Sequence, residues 1–536
     1  MSNLQILDCT LRDGGYINDF RFGKNGIKKI ISQLTLAGID IVECGFLEDG
    51  EYDEDCSVYN RVEQIAELLP SDHRNTMYVA MACYGEYDIS QLSDYDGKSI
   101  DGIRVTFHYN EVGEALEYCK AIIAKGYKVF VQPVGTSSYT DEQLFNLVKR
   151  VNEFQPYAFY LVDTLGLMLK DDILRFYYLI NQNLNPSIHF GFHSHNNLQM
   201  SYSNSQVLAE LNSKRIISLD ASVNGMGRGA GNLNTELIAY YLNSKERRYE
   251  VEPILEVVDE YINKIHEQFT WGYDVPHYLA AINGCHPNYA TFFMGKQTLT
   301  VKNIGTILRM IEPERRSLFD KQLAERKYKE FQSREIDDSH TIDNLGKVIK
   351  DRNVLLLGPG KSLNNYRNQI KEVVKKHNCV VISISFVPDF IDCDFTFLSN
   401  KKRYDTTFNP TKKVLNLINT SNLSINIKNS YVVNYSSLLC EDDVIMDNST
   451  VMLLNLMCKV NPRKVFIAGC DGYQIGQNNY YQKRLQLYQE GEYLLALNET
   501  MKRRVKELRS TLEIEFLTPS VYDDASMLGR LSENIM

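Results

Sequence analysis

No stretch of this 536-residue chain approaches the ~18 consecutive apolar residues of a membrane helix, so a membrane-spanning reading is excluded at the outset. The N-terminal MSNLQILDCTLRDGG has no basic segment followed by an apolar one, and reads as a strand running into a polar loop rather than as a leader. CxxC pairs are also missing. The eleven cysteines stand as singletons from Cys9 to Cys470, a pattern that suits a reducing compartment and argues against a cysteine-rich zinc site. A cytoplasmic protein is expected. Proline is scarce, at 13 residues, and with 44% hydrophobic and 24% charged residues the composition excludes disordered and collagen-like chains. Positive charge is in deficit: 58 Lys+Arg against 68 Asp+Glu give a net charge of -10, which disfavours a nonspecific grip on nucleic acid or anionic lipid.

The length suggests roughly three to four domains, or fewer if one is a large barrel. Over the first 250 residues a short apolar strand is repeatedly followed by an amphipathic helix, the pattern of parallel βα units. Strands are expected at 4–9, 39–46, 77–83, 102–107, 127–133, 158–163, 187–192 and 216–223. Eight is the number that closes a (β/α)8 TIM barrel, with a doubly wound open sheet as the alternative. A helix over 112–125 buries Ala115, Leu116, Cys119, Ile122 and Ile123 at helical spacing and stops at Gly126. Residues 251–335 read as a helical appendage to the barrel, and the polar 336–351 as a linker. Residues 352–536 restart the βα rhythm and are expected to form a Rossmann-like α/β domain.

In a parallel barrel, reactive groups gather at the carboxyl ends of the strands. The first strand runs into Asp8-Cys9-Thr10-Leu11-Arg12-Asp13-Gly14-Gly15, and the seventh into His193-Ser194-His195. Alternate residues of an extended segment point the same way, so His193 and His195 can offer two imidazoles to one ion while Asp13 supplies an oxygen. Such a donor set suits Mn²⁺, Mg²⁺, Fe²⁺ or Zn²⁺. The eighth strand is followed by the glycine-rich NGMGRGAGN at 224–232, where Asn232 adds an amide oxygen to the candidates.

TLRDG at 10–14, ExGF at 43–46, DTLG at 163–166, HSHNN at 193–197 and NGMGRGAGN at 224–232 together resemble the metal-dependent aldolase and hydroxymethylglutaryl-CoA lyase-like superfamily, and its 4-hydroxy-2-oxovalerate aldolase branch in particular. The resemblance implies that Asp13, His193 and His195 hold a divalent metal, Mn or Mg, with Asn232 as the candidate for a fourth ligand. It implies that Arg12 stabilises an enolate oxygen, that Glu43, Asp163 and Thr164 support the mouth of the site, and that the substrates are a 2-oxo acid such as pyruvate and an aldehyde. One position departs from the branch, which carries His three residues after the metal Asp, where this chain has Tyr16. A phenol is a poorer base at neutral pH, so His286 is the expected replacement acid/base, with Tyr289 behind it. His108 is expected to line the substrate pocket. An acyl-CoA-dependent synthase of the isopropylmalate or homocitrate type is the enzymic alternative, and a non-catalytic nucleotide-sugar-binding protein the alternative from another class. A homo-oligomer is expected.

In the C-terminal part, Gly358-Pro359-Gly360-Lys361-Ser362-Leu363 follows a buried strand and precedes a helix, where backbone amides can cradle phosphate. With the later Gly469-Cys470-Asp471-Gly472-Tyr473, it resembles the nucleotide-binding fold of bacterial sialyltransferase-like surface-glycan proteins. That resemblance implies a nucleotide or nucleotide-sugar held at Gly358, Gly360, Ser362 and Asp471. Those transferases use a late His as base, and this chain has none after His377.

Overall fold

The computed structural model describes residues 3–296, 298–407, 416–423, 430–442, 444–482, 485 and 491–523. Eight parallel strands close a barrel: β1 (Leu4–Asp8), β2 (Ile41–Leu47), β3 (Met77–Cys83), β4 (Gly102–Phe107), β5 (Lys128–Pro133), β6 (Ala158–Asp163), β7 (His189–Ser194) and β8 (Ile217–Ala221). Closure is made by β1, which pairs with both β2 and β8. The strands are near-continuous apolar runs because both faces are buried. One face packs on the helices through Ile6, Val42, Ala80, Ile103, Val129 and Leu161. The other fills the barrel with Leu7, Ile41, Val79, Phe130, Ala158 and Tyr160.

The helices form where the sequence caps them. Asp141–Phe154 begins at Thr140, whose Oγ1 accepts from Gln143 N at 3.1 Å while Gln143 Oε1 accepts from Thr140 N at 2.8 Å. It buries Leu144, Leu147, Val148 and Val151, one stripe of the helix, and ends at Gln155 in the left-handed region.

The barrel's middle layer is polar. Glu43, Arg104, Tyr160 and Asp220 come from β2, β4, β6 and β8, the alternate-strand arrangement of barrel layers. Gly191 on β7 makes room for it: a Cβ there would lie 2.2 Å from the Tyr160 ring. The Arg104 guanidinium sits 4.9 Å from the centre of that ring.

The second unit is built on a seven-stranded parallel sheet: β9 (Asn353–Leu357), β10 (Val380–Ile384), β11 (Phe395–Leu398), β12 (Leu417–Thr420), β13 (Ser430–Val433), β14 (Lys464–Ala468) and β15 (Ile514–Phe516). Across the sheet they run β13-β12-β11-β10-β9-β14-β15, so the winding direction reverses between β9 and β14.

Two boundaries differ from the sequence reading. Residues 336–351 are not a bare linker but contain the helix Ser339–Ile349, whose Leu345 and Ile349 are fully buried in the second unit's core. The segment 251–335 is shared: 251–291 and 311–320 cluster with the barrel, whereas 292–310 and 321–335 cluster with the second unit. The physical reason is the spacing of apolar side chains within polar stretches, which gives each helix one buried stripe. Among the described residues, no helix is long and apolar enough to cross a membrane.

Candidate active site

At the end of β1 the chain turns back on itself, with Arg12 N and Asp13 N both donating to Cys9 O. This turn aims Arg12 and Asp13 into a cavity of about 310 Å³ at the carboxyl end of the barrel. Arg12 is buried and held on two sides, Nε donating to Glu43 Oε2 at 2.9 Å and Nη1 to Asp13 Oδ1 at 2.6 Å. Glu43 Oε2 also accepts from Arg104 Nη1 at 2.7 Å, and Arg104 Nη2 donates to Asp220 Oδ2. Asp220 in turn accepts from His193 Nδ1 at 3.0 Å. A buried chain of alternating charge therefore runs from Asp13 through Arg12, Glu43, Arg104 and Asp220 to His193.

The chain fixes the imidazole. With Nδ1–H committed to Asp220, His193 presents its Nε2 lone pair, 3.9 Å from Asp13 Oδ2. His195 is fixed the same way by a carbonyl, its Nδ1 lying 2.8 Å from Thr164 O and its Nε2 3.5 Å from Asp13 Oδ2. Ligand atoms of Asp13, His193 and His195 all lie within 4.8 Å of one another. Burial works against an ionised Asp13, yet the Arg12 guanidinium beside it outweighs that and holds its pKa well below the usual carboxylate range. Burial pushes His193 down, favouring the neutral ring that a metal requires.

Asn232 reaches the same point through its amide nitrogen, which donates to Asp13 Oδ2 at 2.6 Å and to Met226 O at 3.1 Å. Its Oδ1 is buried without a partner. Tyr16 lines the cavity from the turn Gly14–Ile17, with the Arg228 guanidinium 4.0 Å from its ring centre. Burial raises its phenol to about 12, so it carries its proton at neutral pH.

His286 also lines the cavity. Burial, then Arg228, lowers its pKa to about 4, which leaves the ring neutral. Asn288 N donates to His286 Nδ1 at 3.2 Å, so the ring proton resides on Nε2. Tyr289, by contrast, is fully buried and its hydroxyl is spent on Arg315 O and Leu318 O.

His108 and Thr164 line the cavity. Glu43 and Asp163 lie behind it. Glu43 is committed to two arginines, and the Asp163 oxygens accept from Leu167 N and Met168 N, ordering the loop after β6. Burial raises Asp163 to about 6.

Sequence reasoning missed Arg104, Asp220, Gln132 and Arg228. The first two had a readable signal: single charges inside the apolar runs GIRVTF and IISLDASV, where a buried charge needs a partner.

Profile comparison matches the HMGL-like family model to residues 3–259. Residues 3–259 form an HMGL-like domain. Among curated relatives, an oxaloacetate decarboxylase of Mycobacterium tuberculosis is 27% identical over 241 residues, covering 45% of this chain and 70% of that protein. A 4-hydroxy-2-oxovalerate aldolase of Geobacillus genomosp. 3 is 26% identical over 243 residues, covering 45% and 70%. Among solved structures, the N-terminal domain of a candidate aldolase from Bacteroides vulgatus aligns with a TM-score of 0.48 at 22% identity, covering 57% of this chain and all of that one. The two curated relatives are named as a decarboxylase and an aldolase, and each alignment covers under half of this chain.

In the second unit the structure brings Gly358, Gly360, Ser362 and Asp471 together. Gly360 N donates to Gly469 O, Ser362 N donates to Asp471 Oδ2 at 2.7 Å, and a Cβ on Gly358 or Gly360 would lie 2.5 Å from Gly469 O. The glycines thus serve the close approach of the loops after β9 and β14, and the Ser362 amide is already committed to Asp471. Beside them a cavity of about 290 Å³ is lined by Lys361, Ser362, Asn365, Asp471, Asn479 and Ser520, at the point where the winding reverses.

Proposed function

We propose that the HMGL-like domain is a divalent-metal-dependent aldolase that makes or breaks the carbon–carbon bond next to a 2-oxo acid. The observation that carries this reading is the paired orientation of the histidines: both Nδ1 atoms are tied to acceptors, and both Nε2 lone pairs converge on Asp13 Oδ2. Asp13, His193 and His195 would hold the ion, and Asn232, with its unmatched Oδ1, is the candidate for a fourth ligand. Bound Mn²⁺ or Mg²⁺ would supply Lewis-acid polarisation of the 2-oxo acid's oxygens.

The protein groups account for the rest. Arg12 Nη2 is buried with no partner in the cavity wall, and would donate to the oxygen that gains charge as the enolate forms. In the addition direction the methyl carbon of pyruvate would lose a proton to water in the cavity, its electron pair would form the bond to the aldehyde carbon, and the aldehyde oxygen would take up a proton in return, so that no proton is gained or lost overall. Tyr16 and His286 are among the proton-bearing groups that line the cavity. The neutral His286 Nε2–H would polarise the aldehyde oxygen, and the Tyr16 hydroxyl would donate to the same region.

For the second unit we propose binding of a nucleotide or nucleotide-sugar in the cavity beside Ser362 and Asp471. Open parallel sheets bind ligands where their winding reverses, outside the carboxyl ends of the strands. An aldolase joined to such a site suits the making of an acidic sugar for a surface glycan.

Cleavage of a 4-hydroxy-2-oxo acid by the full chain, read as pyruvate release, tests the aldolase reading. Release is expected with Mn²⁺ and not after chelation, and should be lost in His193→Ala. Pyruvate release that persists without metal would overturn the metal-dependent mechanism.

A further inference from the structure

The wall of the barrel cavity divides by strand. Arg12 and Asp13 follow β1, His193 and His195 end β7, and Arg228 belongs to the loop after β8. In a closed eight-stranded barrel, β5 stands across the axis from β1. The facing arc, formed by the ends of β3, β4 and β5, contributes Cys83, Glu86, Thr106, His108, Glu111 and Gln132. Each of these six side chains carries a hydrogen-bonding group.

Gln132 is the decisive member. It is 3% exposed, it lines the cavity, and its Nε2 has no partner. Leaving a buried amide donor unmatched is costly, so the donor calls for an oxygen brought in from the cavity. Thr106 stands in register with it on the neighbouring strand. Glu86 and Glu111 add carboxylates, and Glu111 Oε2 accepts from His108 N at 2.8 Å, which leaves most of its acceptor capacity unused. An alkyl tail against this arc would leave Gln132 unmatched and strip water from two carboxylates without replacing it. A tail of alternating carbons and hydroxyls answers both demands, its oxygens accepting from Gln132 and its hydroxyls donating to the carboxylates. Met81, Phe107 and Val134 give the carbon skeleton a surface to lie on.

We propose that the arc formed by β3, β4 and β5 binds the hydroxyl-bearing tail of the aldehyde, with Gln132 as its donor and Glu86 and Glu111 as its acceptors, so that the partner of the 2-oxo acid is a polyhydroxylated aldehyde. This rests on the aldolase reading above. The carbon–carbon step is unchanged and needs no further reactant.

The test supplies the Mn²⁺-loaded full chain with pyruvate and either glyceraldehyde or propanal, and follows both the aldol product and deuterium uptake at the pyruvate methyl group. The expected kcat/KM for glyceraldehyde is at least tenfold above that for propanal. Gln132→Leu should bring that ratio towards one, and Glu86→Ala, on an exposed turn where folding is not at stake, should lower it by severalfold. Deuterium uptake with propanal used as well as glyceraldehyde would overturn the tail assignment and leave the aldolase reading standing. Absence of deuterium uptake would remove the aldolase reading, and the tail assignment with it.

Discussion

Asp220 does not itself line the cavity, yet three things depend on it: the tautomer of His193, the pairing of Arg104, and through Arg104 the placement of Glu43 and Arg12. Groups that orient a metal-binding histidine typically account for 10–100-fold in metal affinity. Asp220→Asn should therefore weaken Mn²⁺ binding by about that factor in a titration, even though neither Asp13 nor the histidines change; unaltered affinity would mean that the imidazole is oriented by packing alone. Asp8 behaves differently. Burial raises its pKa to about 6 despite hydrogen bonds from Thr235 Oγ1 and Thr10 N. A carboxyl raised in the folded state stabilises the fold at low pH and loses that contribution as pH rises through the folded pKa. Between pH 5 and 7.5 the barrel of Asp8→Asn should lose less stability than the parent, by on the order of 1 kcal/mol. Denaturant unfolding at the two pH values measures the difference, and an identical loss in both proteins would show that Asp8 titrates normally.

The elements were far easier to read than the connections between charges. All eight barrel strands fall where apolar runs alternate with helical stripes, because a strand buried on both faces leaves a dense apolar signature. Asp13, His193, His195 and the Gly loop were legible because short spacing on one strand end or loop fixes direction. Arg104 and Asp220, 116 residues apart, were not, since their pairing exists only after closure brings β4 and β8 to one layer. Glu43 was read as supporting the mouth of the site, but its two arginine partners were hidden for the same reason. The loop after β8 carries its own test. A Cβ on Gly227 would lie 2.5 Å from Asn232 Nδ2 and 3.4 Å from Asp13 Oδ2. Gly227→Ala should displace Asn232 and weaken Mn²⁺ binding by about tenfold, or 1.4 kcal/mol, with the barrel's circular dichroism retained; full affinity would show that the loop yields without moving its ligand.

At the scale of the whole chain, two compact units each own a hydrophobic core, and the family match stops at residue 259, within the first. The chemistry proposed for the protein therefore stands or falls on the barrel. Its central claim is that the Asp13, His193 and His195 cluster, with Arg12 beside it, activates a 2-oxo acid for carbon–carbon chemistry. Deuterium exchange into the methyl group of pyruvate, followed by NMR in D₂O with Mn²⁺ and the full chain, measures that activation without reference to the aldehyde. Exchange that requires the metal and disappears in His193→Ala is the predicted result. Methyl protons that stay in place while titration shows Mn²⁺ bound would contradict it.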